Sequence, residues 1–333
     1  MRARKRLKLC LKISGNAPSL AIALLPLKAA RNALGTTGLA QSRRYVKLKR
    51  MAVQTQDQKT SSPAALPGLR LYSTNRRTLE LLAEFFCLRT NDIAALIRDR
   101  EPNDNDKRSI RQTLRVLLKA GVVERLPYLD LERVTGGVHF AWGLTDKGVN
   151  FVKSLWPLAK TFDEHSQRTL DHELEISFFH MALKKFAAKN DLKLYWQQSD
   201  LKCTISPDAM FALTNPAKPE GKNTLYYFLE LERAKIGHYV NGEPSIMRKL
   251  GKYYEYYGTD KCKKEWLDFR QFRVIVIQRT EERRENLLKQ LNKEYNHRMF
   301  WLATEANYKE NIGGETFRTP KDFGITAYSF LAV

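Results

Sequence analysis

Cysteine is scarce in this chain. Four stand in 333 residues, Cys10, Cys87, Cys203 and Cys262, and no two lie at C-x-x-C spacing. That argues against a zinc ribbon and a secreted disulfide scaffold, and it makes a reducing, cytoplasmic setting the expectation. Long apolar runs are missing as well. None reaches the roughly 20 residues of a membrane-spanning helix, so no membrane span is expected. The helical zinc signature H-E-x-x-H is absent, because Ile176 follows His172-Glu173 where the second histidine would fall. Finally, the first 56 residues contain thirteen Lys/Arg and no acid before Asp57.

What is present is positive charge, at 57 Lys/Arg against 36 Asp/Glu, or +21. Beyond residue 56 the 44 basic and 36 acidic residues still leave +8. Such a surplus favours a polyanionic partner, nucleic acid before an anionic membrane surface. Residues 1–68 are expected to form a basic extension and linker outside the folded core, closed by Ser61-Ser62-Pro63 and Pro67-Gly68. Three readings of residues 1–50 stand side by side. They are a targeting segment, an upstream extension of the frame with Met51 as the start, or a basic arm on DNA.

Residues 69–156 read as a small DNA-binding domain. Helices are expected at 75–86, with Leu79, Leu82, Ala83 and Phe86 at helical spacing, at 93–98 after the cap Thr90-Asn91-Asp92, and at 106–120. Strands at 122–129 and 138–144 then make a hairpin, and Thr145-Asp146 opens a closing helix. Three helices followed by a hairpin is the order of a winged helix-turn-helix, whose third helix enters the major groove. Its outward residues are Lys107, Arg108, Arg111, Gln112 and Arg115, and Arg133 sits in the hairpin turn. Arg and Gln suit base edges and Lys suits phosphate. The plainer reading is a solvated basic face.

Residues 165–305 read as an α/β domain, so that the whole is α+β. A helix at 168–189 has Leu170, Leu174, Phe178 and Met181 inward. Strands are expected at 193–198, 202–205, 209–213, 225–232, 272–278 and 299–303, with helices at 244–257 and 280–294. That order gives a mixed sheet with helices on both faces. Residues 306–333 show no clear period and stay unassigned.

Alternate residues of a strand share a face, so Glu230 and Glu232 project together, and Asp208 at the mouth of the neighbouring strand can converge on them. Two or three carboxylates suit Mg²⁺ or Mn²⁺, which activates an attacking oxygen in phosphodiester chemistry. Lys249 and Lys252 on the next helix could stabilise charge. Tyr253 lies one turn after Lys249 and could attack phosphate or simply pack. His172 could be a ligand, a base or a capped helix-start histidine. The plainer reading of Glu230 and Glu232 is a polar strand end paired with Arg233 and Lys235.

These residues carry a resemblance over about residues 72–303. Leu170-Asp171-His172-Glu173-Leu174, Pro207-Asp208-Ala209, Phe228-Leu229-Glu230-Leu231-Glu232-Arg233, Lys249-Leu250 with Tyr253, and Phe272-Arg273-Val274-Ile275-Val276 stand in an order that resembles the replication-relaxation family, which includes plasmid mobilisation relaxases. The resemblance implies a winged helix joined to a restriction-endonuclease-like core of the Pro-Asp…Asp/Glu-x-Lys type. It implies Asp208 and Glu230 as metal ligands, Glu232 as a third carboxylate, and His172 and Lys249 in support. It implies metal-dependent nicking of double-stranded DNA at a transfer or replication origin, single-stranded DNA after the nick, and relaxosome proteins as partners. The alternative is a non-catalytic accessory protein, initiator or repressor on a degenerate nuclease fold. One departure stands out: the core pattern places a lysine two residues after its second acid, and here that residue is Glu232.

Overall fold

The computed structural model describes residues 72–129, 138–153, 156–157, 159, 161, 167–198, 204–232, 246–265 and 271–331. The expected extension 1–68 and Arg133 lie outside these. The first lobe runs α1 (Ser73–Phe85), β1 (Cys87–Arg89), α2 (Thr90–Arg98), α3 (Asp104–Lys119), β2 (Val123–Leu129), β3 (Val138–Leu144) and α4 (Asp146–Val152). Its strands form an antiparallel sheet in the order β1-β3-β2. The three helices and the hairpin pair match the expected order. The short strand β1 was not legible, because three residues are too few for a period.

Helix α3 starts where Asn103 and Asp106 cap each other: Asn103 accepts from the Asp106 N–H at 2.9 Å and Asp106 accepts from the Asn103 N–H at 3.1 Å. Asp106 also pairs with Arg98 at 3.0 Å and Arg100 at 2.8 Å, which ties α2 to α3. Ile110, Leu114 and Leu117 fill the core with Leu79, Leu82, Phe85, Ile93, Trp142 and Leu144. At the other end, Thr145 caps α4 by accepting from the Gly148 N–H at 3.2 Å.

The second lobe runs α5 (Gln167–Lys189), β4 (Lys193–Gln197), β5 (Ala209–Thr214), β6 (Thr224–Glu232), α6 (Ile246–Tyr256), α7 (Asp260–Glu265), β7 (Arg273–Gln278), α8 (Glu281–Glu294), β8 (Phe300–Thr304), α9 (Glu305–Asn311), β9 (Phe317–Arg318), a 3₁₀ turn (Pro320–Asp322) and β10 (Ala327–Tyr328). Seven strands form one mixed sheet, β10-β9-β8-β7-β6-β5-β4. The centre, β6-β7-β8, is parallel, and both flanks are antiparallel. The chain is therefore α+β. Strand β6 alternates strictly. Tyr227, Leu229 and Leu231 enter one core with Phe179, Phe211 and Trp301, while Phe228 enters the other with α6 and α8.

Three expectations change. Residues 306–333, unassigned from sequence, add α9 and two strands to the sheet edge, with Phe317 and Phe330 in its core. The expected strand 202–205 does not appear at Thr204 and Ile205, which form a bend. Third, Leu170, Leu174 and Phe178 of α5 pack on Cys87, Leu126 and Ala141 of the first lobe, and Met181 lies against that lobe's core as well. The second lobe's sheet receives Ile176, Phe179, Leu183 and Phe186 instead.

Helix α5 is thus apolar on two sides, and reading one stripe found only half of it. Its polar residues continue the junction. Ser177 donates to the Phe85 carbonyl at 2.6 Å, and Lys184 pairs with Glu84. The His180 ring stacks on Trp196 at 4.2 Å and lies 4.6 Å from Phe85. No helix among the described residues is long and apolar enough to cross a membrane.

Candidate functional site

Four parts of the chain bring the candidate residues together: α5, the mouth of β5, β6 and α6. Beyond Phe228, strand β6 replaces apolar residues with Glu230 and Glu232 on the same face, so the carboxylates extend a hydrophobic row. Glu230 is only 2% exposed and stands beside Val276 of β7. The Asp208 N–H donates to the Leu229 carbonyl at 3.0 Å, which continues the β5–β6 ladder by one residue. In return the Leu231 N–H donates to Asp208 Oδ2 at 2.7 Å. The other oxygen of Asp208 meets His172 Nε2 of α5 at 3.2 Å.

Helix α6 covers this face with Met247, Leu250, Tyr253 and Tyr256. Lys249, on the turn between them, donates to Glu230 Oε2 and lies 3.9 Å from Asp208 Oδ1. Tyr253 is fully buried and donates its hydroxyl to Glu230 Oε1. The position after Leu231 holds Glu232, and the lysine nearest Glu230 among the described residues comes from the helix.

The electrostatics follow from burial and partners. Burial, and then the neighbouring Asp208 charge, push the Glu230 carboxyl up to about 8 against the opposing pull of Lys249 and Tyr253. Burial also works against an ionised Asp208, but the hydrogen bond and charge of His172, the charge of Lys249 and the Leu231 N–H hold it below the usual carboxylate range. Burial disfavours the Lys249 ammonium, yet Glu230 and Asp208 outweigh it and raise its affinity for the proton.

All of this opens on a cleft of about 530 Å³. One wall carries Asp208, Glu230 and Glu232, and the other carries Arg248, Lys249 and Lys252 of α6. Of the expected site residues, His172, Asp208, Glu230, Lys249 and Tyr253 meet in one hydrogen-bonded cluster, and Glu232 lines the same cleft. Two contributors were not found from sequence: Arg248, which shares a helix face with Lys252, and Glu265, discussed below. Spacing i, i+4 was the signal for the first; nothing local marks the second.

The donors match a hard divalent cation in type, being carboxylate oxygens beside an open cleft. The position between Asp208 and Glu230 is taken by the Lys249 ammonium. Among the described residues no three His, Cys, Asp or Glu side chains gather as a ready metal cage. Asp208 and Glu230 would hold a cation only with Lys249 drawn back along its flexible stem.

On α3, Arg108, Arg111, Gln112 and Arg115 are exposed on the face away from the core, while Lys107 is half-buried and lies 3.6 Å from Asp104.

The family model described as Replication-relaxation matches residues 79–266, which span α1 to the end of α7. No curated protein matches. Among solved structures, the restriction endonuclease FokI is 14% identical, with a TM-score of 0.28, over 85% of this chain. The match spans 52% of that chain, about half its length.

Proposed function

The chain belongs to the replication-relaxation family, and from this premise we propose that it is a cytoplasmic DNA-binding protein that nicks one strand at a transfer or replication origin of a plasmid or other mobile element. The observation that carries the reading is the convergence of His172, Asp208, Glu230 and Lys249 on one cleft from α5, the mouth of β5, β6 and α6. Charged residues that satisfy one another beside an open cleft, with perturbed proton affinities, are the mark of a reactive site.

In this reading the winged-helix lobe selects duplex DNA through Arg108, Arg111, Gln112 and Arg115 of α3, with relaxosome proteins as further partners. Asp208 and Glu230 would hold Mg²⁺ or Mn²⁺, with Glu232 in the same cleft; such a cation, when bound, activates water and neutralises charge on the reacting phosphate. Lys249 keeps its proton at neutral pH and offers positive charge to the phosphate oxygens. His172 fixes the orientation of Asp208 through Oδ1, and the Leu231 N–H fixes Oδ2. Tyr253 is not placed to attack DNA, since its hydroxyl is buried and given to Glu230. The nucleophile is water from the cleft. Its oxygen joins phosphorus as one bridging P–O bond breaks; its proton passes to solvent, and the departing oxygen takes one up from solvent to leave as a hydroxyl.

A second reading has its own support. Lys249 and Tyr253 occupy both oxygens of Glu230, which is how a nuclease site retired to a structural ion pair would look. The protein would then be a non-catalytic accessory protein, initiator or repressor.

The deciding experiment is conversion of supercoiled DNA that carries the sequence flanking the gene. The full chain would be tested with Mg²⁺, Mn²⁺ or chelator, beside Asp208→Ala/Glu230→Ala. Metal-dependent open circles, lost in the variant while duplex binding persists, support the enzyme. Binding without conversion under any condition supports the second reading.

A further inference from the structure

Lys249 stands where the proposed cation would sit. Its ammonium donates to Glu230 Oε2 and lies 3.9 Å from Asp208 Oδ1. The fold itself engages the other oxygen of each carboxylate. Tyr253 donates to Glu230 Oε1, and the Leu231 N–H donates to Asp208 Oδ2 at 2.7 Å. That leaves Glu230 Oε2 and Asp208 Oδ1, which also meets His172 at 3.2 Å, and Lys249 spans the two.

The lysine can leave this place without moving its helix. Met247, Leu250, Tyr253 and Tyr256 seat α6. The Lys249 side chain lines the cleft and is 35% exposed, so its flexible stem can carry the ammonium outward. The cleft around it is held in shape. The Glu265 carboxylate of α7 accepts from the Thr204 N–H at 2.9 Å, from the Thr204 hydroxyl at 2.8 Å and from the Tyr256 hydroxyl at 2.6 Å, which ties the rim to α6.

Charge decides what moves it. Three acids, Asp208, Glu230 and Glu232, and three bases, Arg248, Lys249 and Lys252, line the cleft. That balance favours neither kind of ion alone. A divalent cation arriving alone must push the Lys249 ammonium toward Arg248 and Lys252, like charge toward like. A backbone phosphate arriving alone meets carboxylates and finds Lys249 engaged. Arriving together, the two relieve each other, because the cation takes the carboxylates and the freed ammonium takes the phosphate.

We propose that Lys249 is an exchangeable plug in the metal seat, released by a backbone phosphate, so that a divalent cation and a nucleic-acid strand bind this cleft cooperatively and each binds weakly alone. The inference rests on the proposed function and adds its regulation: away from DNA the plug keeps the site unarmed in the presence of Mg²⁺. Such coupling is reciprocal, so the cation must tighten the strand by the factor with which the strand tightens the cation.

The test measures Mn²⁺ binding to the full chain from the loss of the free-ion paramagnetic resonance signal, counting only the binding that Asp208→Ala/Glu230→Ala removes. Three conditions are compared: no oligomer, a short phosphorothioate oligothymidylate whose charged backbone resists scission, and the uncharged methylphosphonate oligomer. The native chain is expected to bind Mn²⁺ about tenfold more tightly with the charged oligomer and no more tightly with the uncharged one, within the roughly 5–150-fold range of coupled sites. Without any oligomer, Lys249→Met is expected to bind Mn²⁺ about tenfold more tightly than the native chain, and to lose most of the gain from the charged oligomer. The native-chain comparison decides by itself if the variant folds poorly.

Equal Mn²⁺ affinity of the native chain alone and with the charged oligomer overturns the plug and leaves the metal site standing. So does a gain that Lys249→Met keeps in full, since the strand would then act without the lysine. Mn²⁺ binding that Asp208→Ala/Glu230→Ala does not reduce, in the native chain or in Lys249→Met, removes the metal site, and the plug and the nicking reading with it. None of these readouts needs scission.

Discussion

Lys249 reaches from α6 to donate to Glu230 on β6, across from a strand that carries Glu232 and no lysine at that position. The pair is asymmetric: Glu230 is almost fully buried, while 35% of the Lys249 side chain stays in solvent. Removing one partner from a buried pair costs about 3–5 kcal/mol because a charge is left uncompensated. Lys249→Met should cost less, about 2 kcal/mol, since water reaches the site. Lys249→Met/Glu230→Gln should recover part of that loss. Urea unfolding of both variants gives the comparison, and a double variant weaker than the single one contradicts the pairing.

Tyr253→Phe separates a supporting tyrosine from a nucleophile. Loss of a group that orients a reactive carboxylate typically costs about 10–100-fold in activity. Nicking should therefore slow by that factor and persist. Electrophoresis after denaturation should show no protein joined to DNA in either form. A covalent adduct in the native chain that vanishes in the variant would restore the tyrosine as attacker.

Arg111→Ala and Arg115→Ala on α3 should weaken duplex binding. Where the arginine touches phosphate, the salt slope should drop by about 0.9 per contact. Where it reads a base, discrimination should fall by about 1–3 kcal/mol instead. Salt titrations on the flanking DNA distinguish these, and two unchanged variants would move the interface off α3.

His180 predicts a pH dependence of stability. Burial, reinforced by the Lys184 charge, holds its proton affinity well below the ordinary histidine range. The unfolded chain takes up the proton near pH 6.5 and the native chain does not. The neutral form's contribution is complete above about pH 6.5. It falls by up to about 1.4 kcal/mol per pH unit as pH drops from there toward the native value. Urea unfolding at pH 7.5 and 5.5 should show a smaller loss for His180→Phe than for the native chain. Equal losses would show that His180 is not the group responsible.

Much of the site was legible because it sits on short-range regularities. The period of two placed Glu230 and Glu232 on one face, and Pro207-Asp208 announced a strand mouth. The single turn between Lys249 and Tyr253 put both over one strand. Their roles were not legible. Only the tertiary contact shows that Tyr253 points into the core and that Lys249 meets Glu230. Glu265 was beyond reach, since its partner Thr204 lies 61 residues away. The edge strands β9 and β10 are two residues each, shorter than any period, and the burial of α5 on two sides hid half of its packing from a one-stripe reading.

That two-sided burial of α5 bears on how such a protein can be inherited. Cys87, Leu126 and Ala141 of the first lobe are covered by Leu170 and Leu174 of a helix whose other side builds the second. A recombination event that swapped the first lobe for another of different surface would strand those side chains in water and uncover the helix. The two lobes must therefore change together, residue for compensating residue. If α3 reads DNA as proposed, new target sites should be acquired by drift on its exposed side rather than by exchange of whole lobes.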